Sequence, residues 1–241
     1  MHSDRYIFIA VDVKGYSGTL AAEQVSIQRD LRELLAGAAA GARLPYDRWV
    51  DQPQGDGVLI LAPPEHEPRY LDDFVDHLVM QVRRRNRDRL PEGRLHLRLG
   101  LAQGPATLAA NGFAGEAPIL ACRLRDAAVT KAVLAESGAD LVVAVSDRMF
   151  TDNVLGDLTR FSSTDFTRVE IDEEKVNVVA WLWLPRGYEF PPLLLEREHK
   201  SPAPRRAEPV QPVESGHTSS VQINYSTVRG PVGGRDVHVR D

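Results

Sequence analysis

Hydrophobic residues in this chain recur with two different periods, and the changes of period predict its secondary structure. Continuous or alternating apolar runs, typical of β-strands, occupy residues 5–13, 57–63, 94–104, 139–146 and 175–185. Apolar residues three or four positions apart, typical of amphipathic helices, occupy residues 23–40, 69–88 and 117–129. Ser146 is expected to begin one more short helix, because a serine hydroxyl accepts hydrogen bonds from first-turn amides.

These elements alternate without the even rhythm of a doubly wound parallel sheet. The strand predicted at 94–104 keeps one polar face, in which His96 and Arg98 alternate with leucines. We therefore predict an α+β fold, a mainly antiparallel sheet with helices on one side.

The amino-acid composition of the chain changes near Pro185, since half of its sixteen prolines lie in residues 185–241. A segment rich in proline, serine and charge buries too little apolar area to offset its chain entropy. We expect one domain over residues 1–187, a Pro-rich linker over 188–219 and a tail over 220–241. In the tail, three alternating apolar residues indicate a short strand or a docking segment, with a disordered tail as the alternative: Val221, Ile223 and Tyr225.

Composition and charge narrow the function classes. The chain is 43% hydrophobic and 26% charged, with a net charge of −5, which is ordinary for a globular protein and disfavours nucleic-acid binding by charge. The basic run at 83–89 is interpreted as the solvated end of a helix. A single cysteine, Cys122, excludes an intrachain disulfide and a Cys-rich zinc site. We see neither a signal peptide nor a membrane span and expect a cytoplasmic protein.

Two aspartates stand at the ends of predicted strands. Asp56, in QGDGVLIL, fits a hairpin turn, since Asp-Gly is a strong hairpin signal, but also fits a metal ligand. Asp12 ends the first strand, and the turn at Gly15 allows the amides of residues 13–17 to point at one anion. Either aspartate alone is more often a turn or cap residue. Together, hard oxygen ligands beside an anion-binding turn indicate Mg²⁺ or Mn²⁺ and phosphoryl-transfer chemistry.

Four ordered stretches, FIAVDVKGYS, QGDGVLIL, LRLGLAQGPA and GEAPILACRLRDA, resemble the class III nucleotidyl cyclase homology domain. The resemblance covers residues 5–184 and implies a ferredoxin-like, palm-like fold. It implies two divalent ions, Mg²⁺ or Mn²⁺, at Asp12, Val13 and Asp56, and a homodimer whose sites take the metals from one subunit and a transition-state arginine, Arg123, from the other. An unrelated α+β domain with coincidental motifs is the alternative.

The resemblance also implies the remaining site residues. Lys175, at the start of the last strand, is a candidate second phosphate contact, with an ordinary surface lysine as the alternative. The residues expected to bind the nucleoside triphosphate are Lys14, Gly15, Tyr16, Ser17, Trp49, Asp51 and Gln52.

Three departures from the family pattern bear on the substrate and on activity. The family usually carries asparagine where this chain has Ile119, which cannot donate a hydrogen bond. It carries an adenine-selecting lysine where this chain has Gln52, and the matching aspartate falls near Asn111 and Gly112. We therefore expect UTP or CTP rather than ATP, as in the bacterial pyrimidine cyclases of Pycsar anti-phage systems, with an effector protein contacted by the tail. A catalytically weak or inactive nucleotide-binding scaffold is the alternative.

Overall fold

A computed structural model describes residues 5–110, 112–173 and 176–192. Its strands are β1 Arg5–Val13, β2 Val50–Gln54, β3 Gly57–Ala62, β4 Leu97–Pro105, β5 Thr107–Ala109, β6 Gly112–Ala114, β7 Leu141–Ser146, β8 Phe166–Glu173 and β9 Val176–Trp183. Its helices are α1 Ala21–Gly41, α2 Glu67–Leu71, α3 Asp73–Asn86, α4 Glu116–Asp126, α5 Ala128–Ser137 and α6 Asp147–Phe150. No helix among the described residues is long and apolar enough to cross a membrane.

Seven strands form one sheet in the order β2-β3-β1-β4-β7-β9-β8, and β5 and β6 form a separate hairpin. Within the described ranges, β4 and β7 are the one parallel pair, and the other pairs are antiparallel. The predicted α+β fold with a mainly antiparallel sheet is confirmed.

Helices cover both faces of the sheet, so the prediction of helices on one side is wrong. Alternate residues of β1 separate the two layers: Ile7 and Ile9 pack in the core under α1 and α3, whereas Phe8 and Ala10 pack against α4. The central strands are apolar at nearly every position, because helices cover both of their faces. Their sequences therefore show no polar face from which the number of helical layers could be predicted.

The strands missed by the sequence pattern lie mainly at edges. β2, with the sequence VDQPQ, is polar and carries Pro53, which is tolerated at a sheet edge. β8 is the opposite edge, with charged residues such as Arg168 and Glu170 on its exposed side. Ser146 does cap α6, because its Oγ accepts a hydrogen bond from the amide of Met149 at 3.3 Å.

Packing continues past residue 187, where the sequence analysis ended the domain. The side chains of Tyr188 and Phe190 pack against a buried hydrophobic cluster that includes Leu124, Val133 and Leu182. The hydroxyl of Tyr188 donates to Asp140 at 3.0 Å. The predicted tail strand at residues 221–225 lies outside the described residues.

Candidate active site

Asp12 and Asp56 lie next to each other at one end of the sheet. In the antiparallel register of β1 and β3, Asp12 pairs with Gly57, the residue that follows Asp56. Asp56 stands in the two-residue turn between β2 and β3, where Gly55 has a φ of 70°. The hairpin and metal-ligand interpretations are therefore compatible, since the turn presents Asp56 beside Asp12.

Gly57 allows β3 to approach Asp12 closely. A Cβ at position 57 would lie 2.3 Å from the carbonyl oxygen of Val11 and 2.9 Å from the Cβ of Asp12. The carbonyl belongs to the backbone and cannot rotate away, so a larger residue would push the two strands apart.

Two arginines surround the Asp12 carboxylate. Arg98, on β4, donates from Nε to Oδ1 at 2.8 Å and from Nη2 to Oδ2 at 2.6 Å. Nε of Arg125, on α4, lies 3.7 Å from Oδ2. Asp12 is only 5% exposed, and burial raises the pKa of its carboxyl group, an effect that the Arg98 hydrogen bonds oppose.

The Asp12 and Asp56 carboxylates fit a divalent ion of the Mg²⁺ or Mn²⁺ type. Mg²⁺ in phosphoryl-transfer sites takes one or two carboxylates, and substrate phosphates and water complete its coordination. Among the described residues there is no group of three or more His, Cys, Asp or Glu residues that could hold a metal. Val13 ends β1 with an apolar side chain and offers only its main-chain oxygen.

The turn after β1 offers fewer free amides than the sequence predicted. The amide of Lys14 donates to the carbonyl oxygen of His96 at 2.9 Å, so it is not available to an anion. Gly15 has a φ of 83°, a conformation that favours glycine, and it leads into a 3-10 turn over Tyr16–Gly18.

Tyr16 connects this turn to the turn that holds Asp56. Its hydroxyl oxygen accepts a hydrogen bond from Nε2 of Gln28 at 2.6 Å, and the same nitrogen donates to the carbonyl oxygen of Gly55 at 3.0 Å. The side chain of Lys14 is exposed, and Ser17 contributes its backbone to the 3-10 turn.

Arg123 lies on the exposed side of α4, at a cavity of about 430 Å³. The cavity is lined by Gln52, Gln54, Leu59, Phe113, Pro118, Ile119, Cys122, Arg123 and Asp126. The structure thus brings two of the predicted site residues, Gln52 and Arg123, to one cavity. Arg123 also borders a second, open cavity between α4 and the start of β9, which includes Ser146 and Val178.

Ile119 lies where these two cavities meet, one helical turn before Arg123. It is 51% exposed, whereas its neighbours on α4, Ala117 and Ala121, are buried. The position at which the resembled family carries asparagine therefore faces the cavities and not the core.

Gln52 contacts the β5–β6 hairpin. A Cβ at Gly112 would lie 2.2 Å from Oε1 of Gln52, so the absence of a side chain at 112 makes room for the carboxamide. Asn111, the other residue expected here, and Lys175 lie outside the described residues.

The structure contradicts two of the predicted nucleotide contacts. Trp49 packs in the core under α1 and α3, with its ring 5.9 Å from that of Tyr70 and 5.6 Å from that of Phe74, centroid to centroid. Asp51 accepts a hydrogen bond from Arg32 of α1 at 3.1 Å. Asp51 thus belongs to the face of β2 opposite Gln52, because side chains alternate along a strand, and Trp49, just before β2, packs on that same side.

Sequence reasoning gave no role to Gln54 and Arg125. Nη1 of Arg125 donates to Oε1 of Gln54 at 2.7 Å, and its Nε and Nη2 donate to both carboxylate oxygens of Asp126, at 3.0 and 2.6 Å. Arg125 is thereby in contact with the Asp12 carboxylate and with the wall of the cavity. The available signal was the polar alternation of Gln52 and Gln54, which follows from a strand assignment at 50–54.

Comparison with known proteins gives a fold likeness. No protein-family model matches the chain, and no curated protein matches its sequence. An adenylate/guanylate cyclase/hydrolase from Silicibacter pomeroyi is similar in structure, with a TM-score of 0.55 and 21% identity over 76% of this chain and 98% of that one.

Two further solved structures show the same likeness. The guanylyl cyclase Cya2 has a TM-score of 0.52 and 16% identity over 79% of this chain and 98% of its own. A bacterial light-regulated adenylyl cyclase has a TM-score of 0.51 and 11% identity over 81% of this chain and 97% of its own. The chain therefore has the mixed α+β fold of class III adenylate and guanylate cyclase domains.

Proposed function

We propose that this protein is a nucleotidyl cyclase, which converts a nucleoside triphosphate into a 3′,5′-cyclic nucleotide and pyrophosphate. The observation that carries the proposal is the backbone pairing of Asp12 with Gly57, the residue after Asp56, in a chain with a cyclase fold. In the reaction, the ribose 3′-hydroxyl loses its proton to water, and its oxygen forms a bond to the α-phosphorus in line. The bond from that phosphorus to the oxygen bridging to the β-phosphate breaks, and pyrophosphate leaves.

Six of the predicted residues have a role in that reaction. Asp12, Asp56 and the main-chain oxygen of Val13 would hold two divalent ions, which when bound lower the pKa of the 3′-hydroxyl and neutralise phosphate charge. Arg123 stabilises the charge that develops on the α-phosphate, and Lys175 is a second phosphate contact. Gln52 meets the base.

The finer parts of the proposal concern assembly, substrate and context. Because Arg123 and Asp12 approach the substrate from different subunits in the resembled family, the active form is a homodimer with two sites. Gln52 in place of an adenine-selecting lysine favours UTP or CTP over ATP. The biological role proposed is anti-phage second-messenger signalling in the cytoplasm, with an effector protein contacted by the tail.

The test is to incubate the purified full chain with each of the four nucleoside triphosphates and Mn²⁺ and to identify cyclic products by mass spectrometry. We expect a product from at least one pyrimidine nucleotide and none from Asp12→Ala or Asp56→Ala. Asp88→Ala, at an exposed position after α3, is the matched control and keeps wild-type activity. A folded, dimeric protein that makes no cyclic nucleotide would contradict the proposal.

A second candidate function is a nucleotide-binding scaffold without turnover, and Ile119 favours it. Loss of one positioned donor typically lowers the rate by about 10²–10³. Nucleotide binding without cyclic product, together with capture of a partner that depends on the tail, would support this alternative.

A further inference from the structure

The carboxamide of Gln54 has a fixed orientation. Its Oε1 accepts a hydrogen bond of 2.7 Å from Nη1 of Arg125, and an arginine side chain has donors but no acceptor. If the carboxamide were flipped, its NH₂ group would face the guanidinium, and the hydrogen bond would be lost. Oε1 therefore faces Arg125, and Nε2 is the other end of the group, 3.7 Å from Sγ of Cys122, a weak acceptor.

Arg125 is itself held in place. It is 8% exposed, its Nε and Nη2 donate to both oxygens of Asp126, and its Nε lies 3.7 Å from Oδ2 of Asp12. Both oxygens of Asp126 accept hydrogen bonds from Arg125, so the same guanidinium orients this carboxylate, and each oxygen keeps a further lone pair. The hydrogen bond from Arg125 to Oε1 of Gln54 also sets the direction of the NH₂ group at the other end of that carboxamide.

Gln54, Cys122 and Asp126 all line the cavity of about 430 Å³ that also holds Gln52 and Arg123. The rest of its wall is largely apolar, with Leu59 and Phe113 among its lining residues. A nucleotide base packed against such a wall is recognised through hydrogen bonds to the few polar groups that line the cavity. Of the two side chains that Arg125 orients, Gln54 is the one that offers a donor, its NH₂ group.

We propose that Gln54 is a specificity-determining residue and Arg125 its positioning residue, and that together they select bases with a carbonyl at the recognised edge. Uracil and guanine carry a keto oxygen where cytosine and adenine carry an amino group. An amino group would face the NH₂ of Gln54 donor to donor, and a donor that is left without an acceptor on binding costs free energy. The inference rests on the proposed function and narrows the pyrimidine substrate to UTP.

The experiment measures dissociation constants of the full chain for the four 3′-deoxynucleoside triphosphates with Mn²⁺, because these analogues lack the attacking hydroxyl and are not turned over. We expect 3′-deoxy-UTP to bind about 10- to 100-fold more tightly than 3′-deoxy-CTP, and the guanine analogue to bind more tightly than the adenine one by a similar factor. Keto-to-amino ratios within twofold of one would overturn the inference.

Variants at the two positions separate selection from general damage. In Gln54→Glu the carboxylate pairs with Arg125 and presents an acceptor, so the keto-to-amino ratio should fall at least tenfold and reverse. Gln54→Met, of similar volume, should bring the ratio close to one. Arg125→Met frees the carboxamide to flip and should also bring the ratio close to one, whereas Arg125→Lys keeps a donor toward Oε1 and retains selectivity.

The variant Gln52→Glu tests whether position 52, and not position 54, sets the ratio of keto-base to amino-base affinity. If Gln52→Glu changes the ratio and Gln54→Glu does not, the inference is wrong and Gln52 reads the base. Cyclic products formed without keto selectivity would overturn this inference alone and leave the cyclase proposal standing. A folded protein that binds none of the four analogues would overturn both.

Discussion

Arg98 and Asp12 form a buried, two-bond ion pair on neighbouring strands, with N···O distances of 2.8 and 2.6 Å. Each Asp12 oxygen accepts one of these bonds and keeps a second lone pair, with which it can bind a metal ion. The Asp12 carboxylate is thus held in position before any ligand binds, and Arg98 is the residue that holds it.

The ion pair predicts a strong energetic coupling between the two residues. Arg98→Met leaves Asp12 buried beside Arg125 alone, and we expect a loss of about 3 kcal/mol in the free energy of unfolding. In an Asp12→Asn background the same substitution should cost less, with a coupling of about 1–3 kcal/mol. Urea denaturation of the four proteins in the cycle measures this.

Asp56→Asn serves as the control, because Asp56 is only partly buried in a turn. It should change the free energy of unfolding by less than about 0.5 kcal/mol while abolishing cyclic product. Additive losses in the Asp12 and Arg98 cycle would mean that the two residues do not interact in solution.

The close approach of β3 to β1 predicts that Gly57 tolerates no side chain. In Gly57→Ala the new Cβ would lie 2.3 Å from the carbonyl oxygen of Val11, and we expect a destabilisation of about 2–3 kcal/mol. Gly18→Ala is the matched control, since a Cβ there meets nothing within 4 Å. Thermal unfolding of both variants measures the difference, and equal melting temperatures would contradict the prediction.

A shared active site predicts complementation between two inactive variants. Asp12→Ala retains Arg123, and Arg123→Ala retains Asp12, so a mixed dimer contains one intact site out of two. Co-expressed and purified together, the variants should recover about a quarter of wild-type activity, because half of the dimers are mixed. Mixing Asp12→Ala with Asp56→Ala, both on the metal side, should recover none. Equal recovery in both mixtures would rule out the proposed division of residues between subunits.

The sequence predicted the central strands and the nearness of Asp12 to Asp56, because strand ends and an Asp-Gly turn are local signals. It did not predict where Trp49 and Asp51 point, since β2 is a polar edge strand with no apolar alternation to set its register.

Arg125 could not be found from a helical pattern, in which it looks like a surface residue of α4. It is buried because α4 lies directly on β4: a Cβ at Gly100 would be 2.1 Å from the carbonyl oxygen of Ala121. Such a contact depends on how α4 packs on the sheet, and the spacing of apolar residues along one helix does not predict that packing.

Ile119 predicts a gain of function. Its side chain is 51% exposed where two cavities meet, at the position where the resembled family carries asparagine. Ile119→Asn adds a donor beside Arg123 at little cost in packing, and we expect the turnover number to rise by about 10²-fold if the donor reaches the reacting phosphate. Steady-state production of cyclic nucleotide, measured with saturating UTP and Mn²⁺, checks this.

Ile119→Ala separates the new donor from the removal of a bulky apolar side chain. It opens the same space without adding a hydrogen-bonding group, so its turnover number should stay within about threefold of wild type, as expected when no transition-state interaction is added. The gain should appear mainly in kcat, because a donor that acts on developing charge stabilises the transition state more than the bound substrate. An equal gain in both variants would show that Ile119 obstructs the site, and no gain in either would mean that another group already supplies the missing donor.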